Sequence, residues 1–192
     1  MLSTLLEIQR LKTLDRTGWT LRGQATGAES VAAHSYGVAV AAMMLADEVR
    51  ARGIAVDMER VLRVALMHDW AEARLGDMPR TAVEYFGAET RMKAERAAFD
   101  DIVREAAGGE SYSALHEDYE KRESLEARLV KAADIIDLLV QALAFERAGV
   151  RGLDEFWEGV AERDFRLEGV ASEVLNSILH SLAEARGEIR GR

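Results

Sequence analysis

Val64-Ala-Leu-Met-His68-Asp69-Trp-Ala-Glu72-Ala-Arg-Leu-Gly76-Asp77 carries an adjacent His-Asp pair into an apolar run. Val61, Val64, Ala65 and His68 fall at i, i+3, i+4 and i+7, so the spacing predicts a helix whose buried stripe His68 continues. On one continuous helix Glu72 lies about 40° round from His68 and about 60° from Asp69, which crowds an imidazole and two carboxylates onto one patch. Such a patch binds a cation or repels itself. Gly76 suits the position just past a helix end, and Asp77-Met-Pro79 stops the helix beside the same groups.

Alone, a buried His is as well explained by a hydrogen bond to a backbone carbonyl in the core. Two distant segments shift that balance. Glu29-Ser-Val-Ala-Ala-His34-Ser-Tyr-Gly-Val opens a second apolar helix with a His in its first turn. Leu129-Val-Lys131-Ala-Ala-Asp134-Ile-Ile-Asp137-Leu-Leu-Val places carboxylates in a run too apolar to leave them unpaired. By spacing alone Asp134 and Asp137 compete. Two imidazoles and two carboxylates make a first shell for a divalent cation that leaves positions open for water.

The order His34, His68-Asp69, Asp134 resembles the H…HD…D pattern of the HD-domain metal-dependent phosphohydrolases. Arg16-Thr-Gly-Trp19-Thr-Leu-Arg22-Gly, Glu29-Ser-Val-Ala-Ala-His34-Ser, His68-Asp-Trp-Ala-Glu72, Gly76-Asp77-Met-Pro79 and Leu129-Val-Lys131-Ala-Ala-Asp134 are similar, in order, to the 5′-deoxynucleotidase branch of that family. The likeness covers roughly Leu5 to Trp157. It implies His34, His68, Asp69 and Asp134 as ligands of one divalent metal ion, the Lys-x-x-Asp match selecting Asp134 over Asp137. It also implies a nucleoside 5′-monophosphate substrate, preferentially 2′-deoxy, hydrolysed by a metal-activated water, and a homodimer. Glu72 is then the group that accepts or returns a proton, Asp77 steers substrate or water, and Arg16 binds phosphate. Trp19 is assigned to the sugar, where its apolar face would leave a 2′-hydroxyl unpaired; the alternative is that Trp19 fills the core. Glu72 has alternatives too, as a fifth ligand or a structural carboxylate. The donor set suits Mn, Fe, Co, Ni or Zn and not Ca, which prefers oxygens throughout. One position departs from the pattern: Ala33 stands where the family usually carries an acid. If Ser30 caps the helix, a Glu at 33 would complete a capping box worth about 0.5–1 kcal/mol; if instead the acid orients a metal ligand or a water, its absence touches the chemistry.

Two other readings remain. One is hydrolysis of another phosphate ester, such as a cyclic or hyperphosphorylated nucleotide, against which the Arg16…Trp19 loop speaks. The other is a non-catalytic helical interaction module with a structural metal, which does not need Glu72 or Asp77.

The chain has 192 residues, 48% of them hydrophobic, enough for one domain, 1–192, with a motif-bearing core over about 5–157 and an amphipathic helix over about 167–190. A net charge of −9 argues against a nucleic-acid polymer as partner. The longest apolar run, Val38 to Ala46, is far short of a membrane span. The amino terminus lacks the basic start and apolar centre of a signal peptide, and the absence of Cys favours a cytoplasmic address.

Leu2, Leu5, Leu6, Ile8 and Leu11 predict a first amphipathic helix, and Asp15 to Gly27 a connection. Ser30, Asp57 and Ser124 are expected helix caps. A helix over about Ala88–Ala107 should bury Met92, Phe99, Ile102 and Val103. Leu115 and Tyr119 belong to a short, mobile helix, and His116 and His180 to the surface. No period-2 alternation of useful length occurs. The expected fold is all-α, a bundle-like domain of six to eight helices.

Overall fold

The computed structural model describes residues 1–191, without the side chain of Arg80, and these form helices and turns with no strand. Arg192, the last residue of the expected domain, lies outside the described residues. The helices are α1 (Leu2–Ile8), α2 (Thr17–Thr20), α3 (Val31–Ala51), α4 (Met58–Met67), α5 (Glu72–Leu75), α6 (Arg80–Phe86), α7 (Ala88–Val103), α8 (Gly109–Lys121), α9 (Leu125–Arg147), α10 (Asp154–Trp157) and α11 (Gly169–Arg190). A 3₁₀ turn, Gln9–Lys12, follows α1. Eleven exceeds the six to eight expected because α2, α5 and α10 are single turns of four residues, too short to show a period.

Three of these helices start where side-chain caps were expected. Ser30 Oγ accepts from the Ala33 N–H at 3.1 Å, Asp57 Oδ1 from Arg60 at 3.1 Å and Ser124 Oγ from Ala127 at 3.0 Å. Ala33 is exposed, and its N–H is the one that the Ser30 cap accepts.

The residues fall into two compact units. The first comprises Met1–Tyr36 and Arg63–Lys121. Here α7 packs on α8, α5 and α1. Thr4 is buried and its hydroxyl donates to the Ile102 carbonyl at 2.9 Å. Arg74 of α5 binds Glu7 of α1 at 2.5 Å and Asp101 of α7 at 2.8 Å. The α1 leucines do not form the expected buried stripe: Leu2 is 69% exposed and Leu6 64%, and Met92 is exposed as well. In α1 the hydrogen-bonded Thr4 fixes the inward face, which turns the leucines out.

The predicted short, mobile helix around Leu115 is the 13-residue α8, which buries Leu115, His116, Asp118 and Tyr119. His116 is not a surface residue, being 3% exposed and stacked on Phe99 with centroids 4.1 Å apart. His180 is exposed, as expected.

The second unit comprises Gly37–Leu62 and Arg122–Arg192, of which 122–191 are described. In it α9 packs against α11 and α10. Arg186 binds the buried Glu146 at 2.8 Å and Asp154 at 2.9 Å, and covers the Trp157 ring at 4.7 Å. A charge that is removed from water at Glu146 is thereby paired.

Candidate metal centre and active site

Helix α4 does not continue through the His-Asp pair. It ends at Met67, and His68 to Ala71 form turns before α5 begins at Glu72. The expected single helix carrying His68, Asp69 and Glu72 is thus two helices with a break at the pair. Trp70 and Glu72 donate their N–H groups to the Met67 and Asp69 carbonyls, which tightens the turn. Gly76, at φ 78°, closes α5 with its N–H on the Glu72 carbonyl at 2.8 Å, the left-handed ending that glycine accepts without a Cβ penalty.

His68 Nδ1 lies 2.7 Å from the Ala65 carbonyl oxygen. A carbonyl only accepts, so Nδ1 carries the hydrogen, and the neutral ring then presents a lone pair at Nε2. That atom is buried, without a hydrogen-bond partner, and 3.2 Å from Asp69 Oδ2. His34 Nε2 approaches the same oxygen at 3.7 Å, and the His34 and His68 rings meet edge-on with centroids 5.6 Å apart. A nitrogen lone pair and a carboxylate oxygen converge here, an arrangement that a cation relieves. The nitrogens and the oxygen therefore fit a first-row divalent ion.

Arg16 stands within contact distance of two carboxylates, its Nη1 3.3 Å from Asp69 Oδ2 and 3.6 Å from Asp77 Oδ1. Asp77 also holds the start of α2: its Oδ2 accepts the Thr17 N–H at 2.6 Å and its carbonyl the Thr17 hydroxyl at 2.7 Å. The Arg16…Trp19 loop is thus tied to the turn after α5. Trp19 itself is 1% exposed and donates its indole N–H to Glu29 Oε2. Its ring belongs to the core of this unit, the alternative that the sequence left open.

The two acids of the segment respond oppositely to this environment. Burial works to raise the Asp69 carboxyl, but a positive charge at His68, whether a proton or a cation, together with Arg16 and His34 outweighs it and holds the group well below the ordinary carboxylate range. Burial pushes Glu72 well above its ordinary value, and the negative charges of Asp69 and Asp77 push the same way. Glu72 is buried and its Oε2 has no hydrogen-bond partner.

Of the expected site residues, His34, His68, Asp69, Glu72, Asp77, Arg16 and Trp19 all belong to the first unit. Asp134 belongs to the second, on α9, where Lys131 Nζ lies 2.8 Å from its Oδ2. Glu29 and Tyr119 were not singled out from the sequence. The Tyr119 ring packs on His68 with centroids 5.4 Å apart. Tyr119 carried no signal beyond its apolar spacing.

A helical scaffold that gathers His and Asp donors around one point, with an arginine beside them, is the build of a metal-dependent phosphohydrolase. Residues 8–164 match the HD-domain family, and the chain belongs to that family of phosphohydrolases. Among its curated relatives is the 5′-deoxynucleotidase HDDC2 of Xenopus laevis, 32% identical over 159 residues that cover 80% of this chain and 74% of the relative. The human 5′-deoxynucleotidase HDDC2 is 33% identical over 149 residues, covering 76% and 68%. Among solved structures, a conserved hypothetical protein from Pyrococcus furiosus superposes with a TM-score of 0.83 at 34% identity, over 96% of this chain and 99% of that one. A predicted metal-dependent phosphohydrolase from Magnetospirillum magnetotacticum gives 0.63 at 26% identity, over 97% and 92%.

Proposed function

We propose that this chain is a metal-dependent 5′-nucleotidase that hydrolyses nucleoside 5′-monophosphates, preferentially 2′-deoxy ones, to nucleoside and phosphate. The observation that carries the reading is the convergence of the His34 and His68 nitrogens on Asp69 Oδ2 with the Arg16 guanidinium at the same oxygen. The names of the relatives, which are 5′-deoxynucleotidases, support the substrate class.

His34, His68 and Asp69 would hold the cation, and the family pattern adds Asp134 as the fourth ligand. A divalent cation supplies, when bound, the charge that acidifies a water and polarises a phosphoryl oxygen. Arg16 binds the phosphate and sets the P–O5′ bond in line for attack. Asp77, through Thr17 and Arg16, holds that guanidinium in place, which is how it steers substrate. Burial and its acidic neighbours raise Glu72 well above the ordinary carboxylate value, which favours its protonated form. As water adds to phosphorus and the P–O5′ bond breaks, Glu72 gives this proton to the leaving 5′-oxygen and the proton lost by the attacking water restores it. Trp19 contributes to sugar selectivity by fixing the loop. The same reading carries a homodimer, which light scattering tests.

Phosphate release from a panel of 2′-deoxy- and ribonucleoside 5′-monophosphates, cyclic nucleotides and hyperphosphorylated nucleotides, with Mn, Co, Fe, Ni or Zn added in turn, tests the reading. Turnover confined to the monophosphates, faster for the deoxy series, is expected. Turnover of only the other esters, or of none, overturns it.

A further inference from the structure

Glu29 precedes α3 and stands where three site elements meet. Its backbone carbonyl accepts the Arg16 N–H at 3.0 Å, one residue from the isolated antiparallel bridge between Asp15 and Ser30. Its Oε2 accepts the indole N–H of the buried Trp19. A carboxylate oxygen of Glu29 also lies within 4.8 Å of a ring nitrogen of His34. Glu29 is half-buried, so its charge acts through a medium that screens it less than water does.

We propose that Glu29 is a positioning residue whose carboxylate joins the Trp19 indole to the His34 imidazole, setting the Arg16–Trp19 loop and the first metal-binding histidine together. The inference rests on the metal-site reading above. A carboxylate beside a ligand imidazole orients the ring and strengthens it as a donor, and loss of such a partner typically weakens metal binding about 10- to 100-fold. Trp19 limits where the carboxylate can go: a charge-assisted N–H···O⁻ bond from a side chain locked in the core leaves Glu29 little freedom to turn away from His34. The coupling also explains why a tryptophan with 1% of its surface exposed stands in the loop that carries Arg16.

The test uses the full chain stripped of metal and titrated with Co(II), followed by calorimetry and visible absorption. Glu29→Gln keeps a carbonyl to accept the Trp19 N–H and removes only the charge. Its Kd for Co(II) should rise about 10- to 100-fold, with a changed ligand-field spectrum at saturation, while the metal-free melting midpoint stays near that of the wild type. Trp19→Phe, which keeps an aromatic ring in the core but removes the N–H, should weaken binding in the same direction by less, and the two changes together should be less than additive. A Glu29→Gln Kd equal to that of the wild type, or a fall in its melting midpoint with no change in Kd, overturns the proposal and leaves the metal site standing. Failure of the wild type to bind Co(II) overturns both.

Discussion

Asp69 and Glu72 are three residues apart and titrate in opposite directions, so they are fit for different tasks. Asp69 is held low beside His68, Arg16 and His34, as the proposed ligand role needs, whereas Glu72 is pushed up by burial and by Asp69 and Asp77. Glu72→Gln keeps the volume of a protonated acid but cannot give up a proton. It should retain wild-type metal content, read by elemental analysis, and lose about 10²- to 10⁴-fold in kcat. Metal loss in step with activity would make Glu72 a ligand. His116 supplies a stability test at a residue with no proposed part in the reaction. Burial depresses it to about 4, so the unfolded chain takes up a proton that the folded one refuses between pH 6.5 and about 4. The stabilisation is complete above 6.5 and is lost as pH falls through that window, on the order of 3 kcal/mol in all. His116→Phe, which keeps a ring against Phe99, should remove most of that dependence in urea melts at pH 7 and pH 4.5; an equally steep loss in both proteins would assign it to other groups.

At the level of elements, the caps at Ser30, Asp57 and Ser124 were legible because each is a local bond between a side chain and an N–H three residues on. The break of α4 at Met67 was not. Periodicity carries smoothly through His68 and Glu72, and the turn is set by tertiary demands on the His-Asp pair that no local pattern records. The α1 leucines and His116 were misjudged for a related reason: the partners that set these faces, Ile102 for the neighbouring Thr4 and Phe99 for His116, lie far away in sequence or across a loop. His34, His68 and Asp69 stood out because polar groups in apolar runs need a reason, and in the fold the two ring nitrogens approach one Asp69 oxygen. Gly37 of α3 illustrates a conflict between propensity and packing. Alanine is favoured over glycine inside a helix by about 1 kcal/mol. A Cβ at Gly37, however, would fall on Asp137 Oδ1, 2.7 Å from its Cγ and 3.0 Å from Oδ2, and would displace that carboxylate. Overpacking of this kind costs about 1–3 kcal/mol, so Gly37→Ala should lower stability in denaturant melts; a gain would show that Asp137 moves aside freely.

For the whole chain, a net charge of −9 disfavours polyanion binding, and among the described residues no helix is long and apolar enough to cross a membrane. A small anionic substrate is compatible with that charge because the binding potential is local, made by Arg16 and a cation. Metal binding should also register in global stability. A ligand that binds only the folded state at about 100 times its Kd adds about 2.7 kcal/mol. At roughly 2–4 °C per kcal/mol for a chain of this size, the melting midpoint should rise by about 5–11 °C over that in chelator. The same measurement decides between the carboxylates of α9 that compete by spacing. Asp134 is ion-paired with Lys131 at 2.8 Å and both side chains are half-buried, so the effect of Asp134→Ala on stability is read first as the metal-free midpoint and the metal-induced rise is measured from there. If Asp134 is the fourth ligand, its loss should cut the metal-induced rise to less than about half at the same free metal concentration, a weaker Kd entering logarithmically. Asp137→Ala should lower the metal-free midpoint, through the packing against Gly37, and keep most of the rise. The reverse pattern would move the ligand to Asp137 and break the correspondence with the family's Lys-x-x-Asp.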